Sequence, residues 1–268
     1  MRFAGRTVVV TGASMGIGEA MAAAFAREGA NLVLAARSES LLEQVAARLR
    51  AVGAPGQVWP VPADVTDAEQ VKHLAAVSRQ MTGRVDVLVN NAGVGCHGRV
   101  ESLDLEAWRR CLEVNLIGAV RVIQAFLPAM KEARSGTIVQ ISSVVGKVST
   151  PYTAGYNASK HALNAISDAL RLEVTPYGIR VVSVYPGSTQ SHFREKALGG
   201  EDLRRVRLNR VPAEVVAARV LRAVERGERD VYATLRDHLL CWVGTRLPAL
   251  ADFALRRTYR LREGSIDG

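Results

Sequence analysis

The chain reads as an α/β protein built on a doubly wound parallel sheet with helices on both faces. Short β-branched runs alternate with longer helical stretches, the runs are nearly apolar throughout rather than at every second position, and a glycine-rich loop follows the first of them. Strands apolar on both sides must be covered on both sides, which helices flanking a parallel sheet provide.

Taken in order, the elements support that reading. TVVVT opens the chain as a strand and GIGEAMAAAFAREG follows as a helix; NLVLAA is a second strand and SLLEQVAARLRAVG a second helix. QVWPVPAD, the helix DAEQVKHLAAVSRQM and the strand VDVLVNN come next, then a long helix around Leu105 to Met130, the strand TIVQISS and the helix AGYNASKHALNAISDALRLEV. IRVVSVYPG, a helix from Pro212 to Arg226 and the strand DVYAT complete a seven-stranded pattern. No repeat or linker interrupts it before Pro186, so residues 1–234 are expected to form one domain. Residues 188–211 break the alternation just past a strand end, where open α/β sheets bind ligands, and are expected to form a substrate lid.

Composition excludes several classes. The 268 residues include 48% hydrophobic types, enough for a core, and the formal charge is +9. Arginines are scattered among acids rather than massed, and no nucleic-acid recognition motif is present, so a solvated basic surface is expected rather than DNA or RNA binding. Cys96, Cys111 and Cys241 lie far apart, which points to a reducing, cytoplasmic compartment. The start of the chain lacks signal-peptide architecture, and no run approaches the ~20 apolar residues that cross a bilayer.

TGASMGIG, Thr11 to Gly18, joins the first strand to its helix. Gly12 permits a tight turn, Gly16 lets a pyrophosphate approach the backbone, and Gly18 allows close helix packing, with the helix N-terminus attracting the phosphates. Ser14, Met15 and Ile17 complete this loop. The pattern is that of a Rossmann dinucleotide site. An NAD site usually carries an acid after the second strand, whereas Ala36 and Arg37 stand here, and an arginine suits the 2′-phosphate of NADP(H). NADP(H) is therefore expected in preference to NAD(H).

These motifs, with DVTD at Asp64 to Asp67, NNAG at Asn90 to Gly93, Asn115, Ser143, YNASK and the pair Pro186–Gly187, resemble the short-chain dehydrogenase/reductase family in its compact single-domain form. The resemblance covers roughly Phe3 to Gly187, with a looser match to Tyr232. It implies that Asp64 and Val65 hold the adenine ring, that Asn91, Ala92 and Gly93 line the cofactor, and that Pro186, Gly187, Thr189 and Ser191 meet the nicotinamide. It also implies a homodimer or homotetramer formed through the helices bearing Asn115 and Tyr156. Met15 departs from the basic residue that many NADP-using members have, which leaves Arg37 to supply most of the discrimination.

The chemistry fits an oxidoreductase that interconverts a carbonyl and a secondary alcohol. Hydride transfer needs a proton donor or acceptor at the substrate oxygen, and a Tyr with a pKa of ~10 is a poor base until a cation favours its phenolate. Tyr156 and Lys160 share a helix face at i and i+4. Ser143, thirteen residues ahead of Tyr156, would bind and polarise the substrate oxygen, with neighbouring Ser142 on the opposite face as support. Asn115 interrupts an apolar helix; by resemblance it holds a water linking Lys160 to solvent, and it could equally bend the helix. His161, His97 and Cys96 have no partners at metal-ligand spacing, so no metal is expected, and His192 in the lid could touch substrate. A catalytically silent nucleotide-binding regulator of the same fold is the alternative, and the complete set Asn115, Ser143, Tyr156 and Lys160 counts against it.

Residues 235–268 read as a basic amphipathic helical extension divided at Pro248, with Arg246, Arg256, Arg257, Arg260 and Arg262 among apolar residues. Such a helix can touch an anionic membrane peripherally, or pack on the domain or on a second subunit. Leu239, Leu240, Trp242 and Val243 make an apolar carbonyl substrate attractive if the tail reaches lipid.

Overall fold

The computed structural model describes residues 1–191, 193, 195–199 and 210–259. His192, Arg260 and Arg262, each singled out by sequence, lie outside the described residues. Strands β1 (Thr7–Thr11), β2 (Asn31–Ala36), β3 (Val58–Pro62), β4 (Val87–Asn90), β5 (Gly136–Ile141), β6 (Ile179–Tyr185) and β7 (Asp230–Tyr232) form one parallel sheet in the order β3-β2-β1-β4-β5-β6-β7. The helices between them are α1 (Gly16–Arg27), α2 (Glu39–Ala51), α3 (Ala68–Thr82), α4 (Leu105–Leu112), α5 (Gly118–Glu132), α6 (Ala154–Val174) and α7 (Ala213–Arg226), followed by α8 (Leu235–Arg246) and α9 (Pro248–Thr258).

The uniformly apolar strands divide between two cores because successive side chains point to opposite faces. Val8, Val10, Leu32 and Leu34 pack beneath Met21 and Phe25 of α1 and Val216 and Val220 of α7. Val9, Val33, Leu88 and Ile138 pack on the other face with Leu74 of α3, Phe126 of α5 and Leu170 of α6. Strand order reverses between β1 and β4, and the crevice at that switch point is where ligands enter such sheets. Side-chain caps set the starts of α3 and α8: the Asp67 carboxylate accepts from the N–H groups of Glu69 and Gln70, and Thr234 and Asp237 form a reciprocal capping box.

The long helix is one continuous rod from Leu105 to Glu132, joined by a π turn at Glu113–Ile117. Its length and apolar composition would suffice to cross a bilayer, which corrects the expectation that no segment would. Val122, Phe126 and Met130 nevertheless pack it into the second core, as in an internal helix.

The base of the candidate lid is closed by a bridge between Thr189 and Val211, in which Gln190 N–H donates to the Val211 carbonyl at 2.9 Å. Farther along, Leu198 bridges Cys96: Leu198 N–H donates to the Gly95 carbonyl at 2.9 Å and His97 N–H to that of Leu198 at 2.8 Å. The segment is thus strapped across the loop after β4.

Candidate active site

The glycine loop is shaped by close backbone approach. Gly12 has φ 65°, and a Cβ there would lie 2.9 Å from both the Ala92 Cα and the Asn91 Nδ2. A Cβ on Gly18 would strike the Gly12 carbonyl. Asn91 staples the ends of β1 and β4 together: its Nδ2 donates to the Thr11 and Gly12 carbonyls at 2.9 and 3.1 Å. The Thr11 hydroxyl accepts from the N–H groups of Asn91 and Ala92. Met15 caps α1 without any side-chain acceptor, so the first-turn N–H groups, including those of Gly16, Ile17 and Gly18, suit an anion. Ser14 is half-buried beside them.

At the next two strand ends, Arg37 is exposed and Asp64 faces it. The Asp64 carboxyl is held below its ordinary value even though burial works the other way, because Thr66 donates to it twice and the Arg37 and Arg110 guanidiniums lie nearby. Val65 is buried, its side chain against Gly118 and its carbonyl accepting from Arg121.

The remaining residues converge around α6. Lys160 is only 4% exposed, and its ammonium donates to the Ile141 carbonyl at 2.8 Å, 5.8 Å from the centre of the Tyr156 ring. Ser143 caps a single 3₁₀ turn at Val144–Gly146, and its hydroxyl donates to the Pro186 carbonyl at 3.2 Å. The ends of β5 and β6 are thereby joined beside the phenol. Ser142 reaches the Lys160 carbonyl at 3.5 Å. Gly187 abuts Asp237, leaving no room for a side chain, and the Thr189 hydroxyl donates to its carbonyl. Ser191 lies over Gly16, its Cβ 3.2 Å from where a Gly16 Cβ would sit.

Asn115 occupies the π turn, a local widening that recurs at functional sites. Its side chain is spent on the loop after β4: Oδ1 accepts from Val94 N–H at 2.8 Å, and Nδ2 donates to the Val94 carbonyl at 2.9 Å and to the Ser159 hydroxyl at 3.0 Å. Gly93 lies against the same amide, a Cβ there being 3.2 Å from Oδ1 and 3.8 Å from the Lys160 ammonium.

Burial dominates the phenol in the protein alone and pushes Tyr156 well above its ordinary value, against the opposing pull of the Ser143 hydroxyl. Burial also lowers Lys160 to about 8. In the protein alone the phenol therefore stays protonated, while Lys160 remains mostly an ammonium at neutral pH but loses its proton more readily than a free lysine.

Four contributors escaped the sequence reading. Cys111 and Ser159 touch the Asn115 amide, Cys111 one helical turn before it. Phe193 lays its ring 5.5 Å from that of Tyr156, and Lys196 places its ammonium 3.5 Å from the Met15 sulfur. Helical spacing could have exposed the first pair, but no local pattern could have exposed the lid residues. His161 bonds to the Asn157 carbonyl of its own helix, and no metal-holding cluster of His, Cys, Asp or Glu occurs among the described residues.

A phosphate-ready loop at the switch point of this sheet is the framework of a dinucleotide-dependent oxidoreductase. A family model described as short chain dehydrogenase matches residues 6–201. The 11-beta-hydroxysteroid dehydrogenase A of Sesamum indicum is 34% identical over 272 residues, covering 97% of this chain and 77% of its own. A short chain dehydrogenase/reductase from Burkholderia phymatum in complex with NAD superposes with a TM-score of 0.84 at 27% identity, covering 93% of this chain and 96% of its own. One from Burkholderia cenocepacia J2315 in complex with NADP gives 0.80 at 28% identity, covering 95% and 99%. The chain belongs to the short-chain dehydrogenase/reductase family. It is an oxidoreductase of CH–OH and C=O groups that uses a nicotinamide cofactor.

Proposed function

We propose that this protein is an NADP(H)-dependent oxidoreductase that interconverts a carbonyl and a secondary alcohol on an apolar substrate. Its support is the convergence of buried Ser143 and Lys160 on Tyr156, the Lys160 ammonium lying 5.8 Å from the centre of the Tyr156 ring, beside the glycine loop. Tyr156 gives its proton to the substrate oxygen in reduction and takes it back in oxidation. Ser143 steadies the developing alkoxide, and Lys160 orients the ribose and the phenol. The nicotinamide, when bound, supplies or accepts the hydride. Gly12, Ser14, Met15, Gly16, Ile17 and Gly18 would hold the pyrophosphate; Asp64, Val65, Asn91, Ala92 and Gly93 the adenosine side; and Pro186, Gly187, Thr189 and Ser191 the nicotinamide.

Two cations support NADP(H). Ala36 stands where NAD-specific members place an acid that would repel a 2′-phosphate, Arg37 follows it, and Lys196 brings a charge to the glycine loop where Met15 has none. The Phe193 ring against Tyr156 supports an apolar substrate, as does the steroid in the sesame relative's name. Ile117, Ile166 and Leu172 are exposed on the rod bearing Asn115 and on α6, in keeping with the homo-oligomer the resemblance implies. Three free thiols suit a cytoplasmic setting.

Cofactor preference is tested by substitution. Arg37→Ser is expected to raise the KM for NADPH by about 10–100-fold, the loss of one charge-assisted hydrogen bond. Lys196→Ala, at an exposed site, should raise it about threefold. NADH should change little in either variant. Equal weakening of both cofactors would show that neither side chain reads the 2′-phosphate.

A further inference from the structure

We propose that the outward face of α8 and α9 docks on an anionic membrane surface beside the substrate mouth. The polarity of α8 runs opposite to that of an ordinary surface helix. Its buried residues are Asp237 and Cys241, and half-buried Gly244 packs on Val148, whereas Leu239 and Trp242 are 59% and 50% exposed. On α9 only Ala251 is buried, while Leu250 and Phe253 are 54% and 67% exposed. Apolar side chains gathered on one exposed pair of helices mark a contact surface rather than scattered surface residues.

The charges select the occupant. Arg236, Arg246, Arg256 and Arg257 are all exposed on these two helices, and Asp252 is their one exposed acid among the described residues. A second copy of the chain, paired about a two-fold axis, would set this basic face against itself. An anionic lipid surface complements the arginines, and its interfacial zone accommodates leucine, phenylalanine and tryptophan.

The position of the face gives docking a consequence. Asp237 packs on Gly187, and the Cys241 thiol reaches the Val144 carbonyl next to Ser143 at 4.0 Å. The Tyr259 ring lies 6.2 Å from that of Tyr152, shortly before Tyr156. The helices that meet the lipid therefore form part of the wall beside Ser143 and Tyr156, and an apolar substrate dissolved in the bilayer would enter without crossing water.

Full-length protein should co-sediment with vesicles of phosphatidylcholine mixed with phosphatidylserine, bind vesicles of phosphatidylcholine alone only weakly, and be released by high salt. Trp242→Asp with Phe253→Asp should weaken binding about tenfold or more while soluble turnover is unchanged. Arg256→Ser with Arg257→Ser, which leaves the apolar residues in place, should weaken it several-fold and flatten the salt dependence, and this pair serves if the first variant misfolds. No sedimentation with anionic vesicles, or sedimentation indifferent to both variants, overturns the proposal. A dimer in sedimentation velocity that the apolar substitutions dissociate also overturns it, because a second copy then covers the face.

Discussion

Tyr156→Phe is expected to bind NADPH normally and to lose roughly 10²–10⁴-fold in turnover, the range for removal of a positioned acid. The ring still packs against Phe193 and α6 keeps its shape, so only the hydroxyl disappears. A substrate oxygen gaining negative charge then has the Ser143 hydroxyl to bind it but no proton to receive. Measured kcat should collapse while NADPH affinity, followed by cofactor fluorescence, stays within about twofold. The pH dependence follows from burial. A phenol raised above ~10 stays protonated across the neutral range, so carbonyl reduction should be flat from about pH 6 to 8. Alcohol oxidation, which needs the phenolate, should climb with pH through the same interval.

Lys160→Met should cost turnover and yet raise stability. Burial lowers this lysine from its ordinary 10.5 to about 8, a difference of about 3 kcal/mol against the charged form at neutral pH. Methionine fills similar space without that penalty but leaves the Ile141 carbonyl without its donor, a loss of about 1–2 kcal/mol. The net expectation is a variant about 1–2 kcal/mol more stable at pH 7 by urea unfolding. The sign is set by proton counting: between pH 8 and 10.5 the unfolded chain binds more protons at Lys160 than the folded one, so wild-type stability from this group rises with pH. The penalty is complete below about pH 8 and gone above about 10.5. The advantage of the variant should shrink across that window and vanish or reverse at its upper end. A Lys160→Met protein less stable at pH 7 would show that the ammonium is well solvated by its surroundings.

Much of the fold was legible because its signals are local. Runs such as TVVVT and NLVLAA are apolar through their centres, at successive rather than alternate positions, as strands covered on both sides require. Pro248 marked the break between α8 and α9 because a proline can start a helix but cannot continue one. Gly12 and Gly18 stood out because the turn leaves no space for a Cβ. Legibility failed where the deciding contact was long-range. Phe193 and Lys196 reach Tyr156 and Met15 because the Cys96–Leu198 bridge holds the described residues around them against the loop after β4, and no spacing in the sequence encodes that bridge. The state of the Tyr156 phenol depends on burial, which an i,i+4 pattern does not report. Asn115 looked like a polar interruption of a helix, but the π turn that aims its amide at Val94 appears only once α4 and α5 join as one rod. The inverted polarity of α8 was likewise hidden, since its Leu and Trp residues are as compatible with a core as with an exposed face.

NADPH-driven carbonyl reduction at Tyr156 is tested by initial rates for wild type and Tyr156→Phe across a panel of apolar ketones, with NADPH and NADH measured side by side. Wild type should turn over at least one ketone, with a kcat/KM for NADPH about tenfold or more above that for NADH, and the Phe variant should lose nearly all activity. Equal or better rates with NADH, undiminished turnover in Tyr156→Phe, or no cofactor oxidation with any ketone would rule out this chemistry.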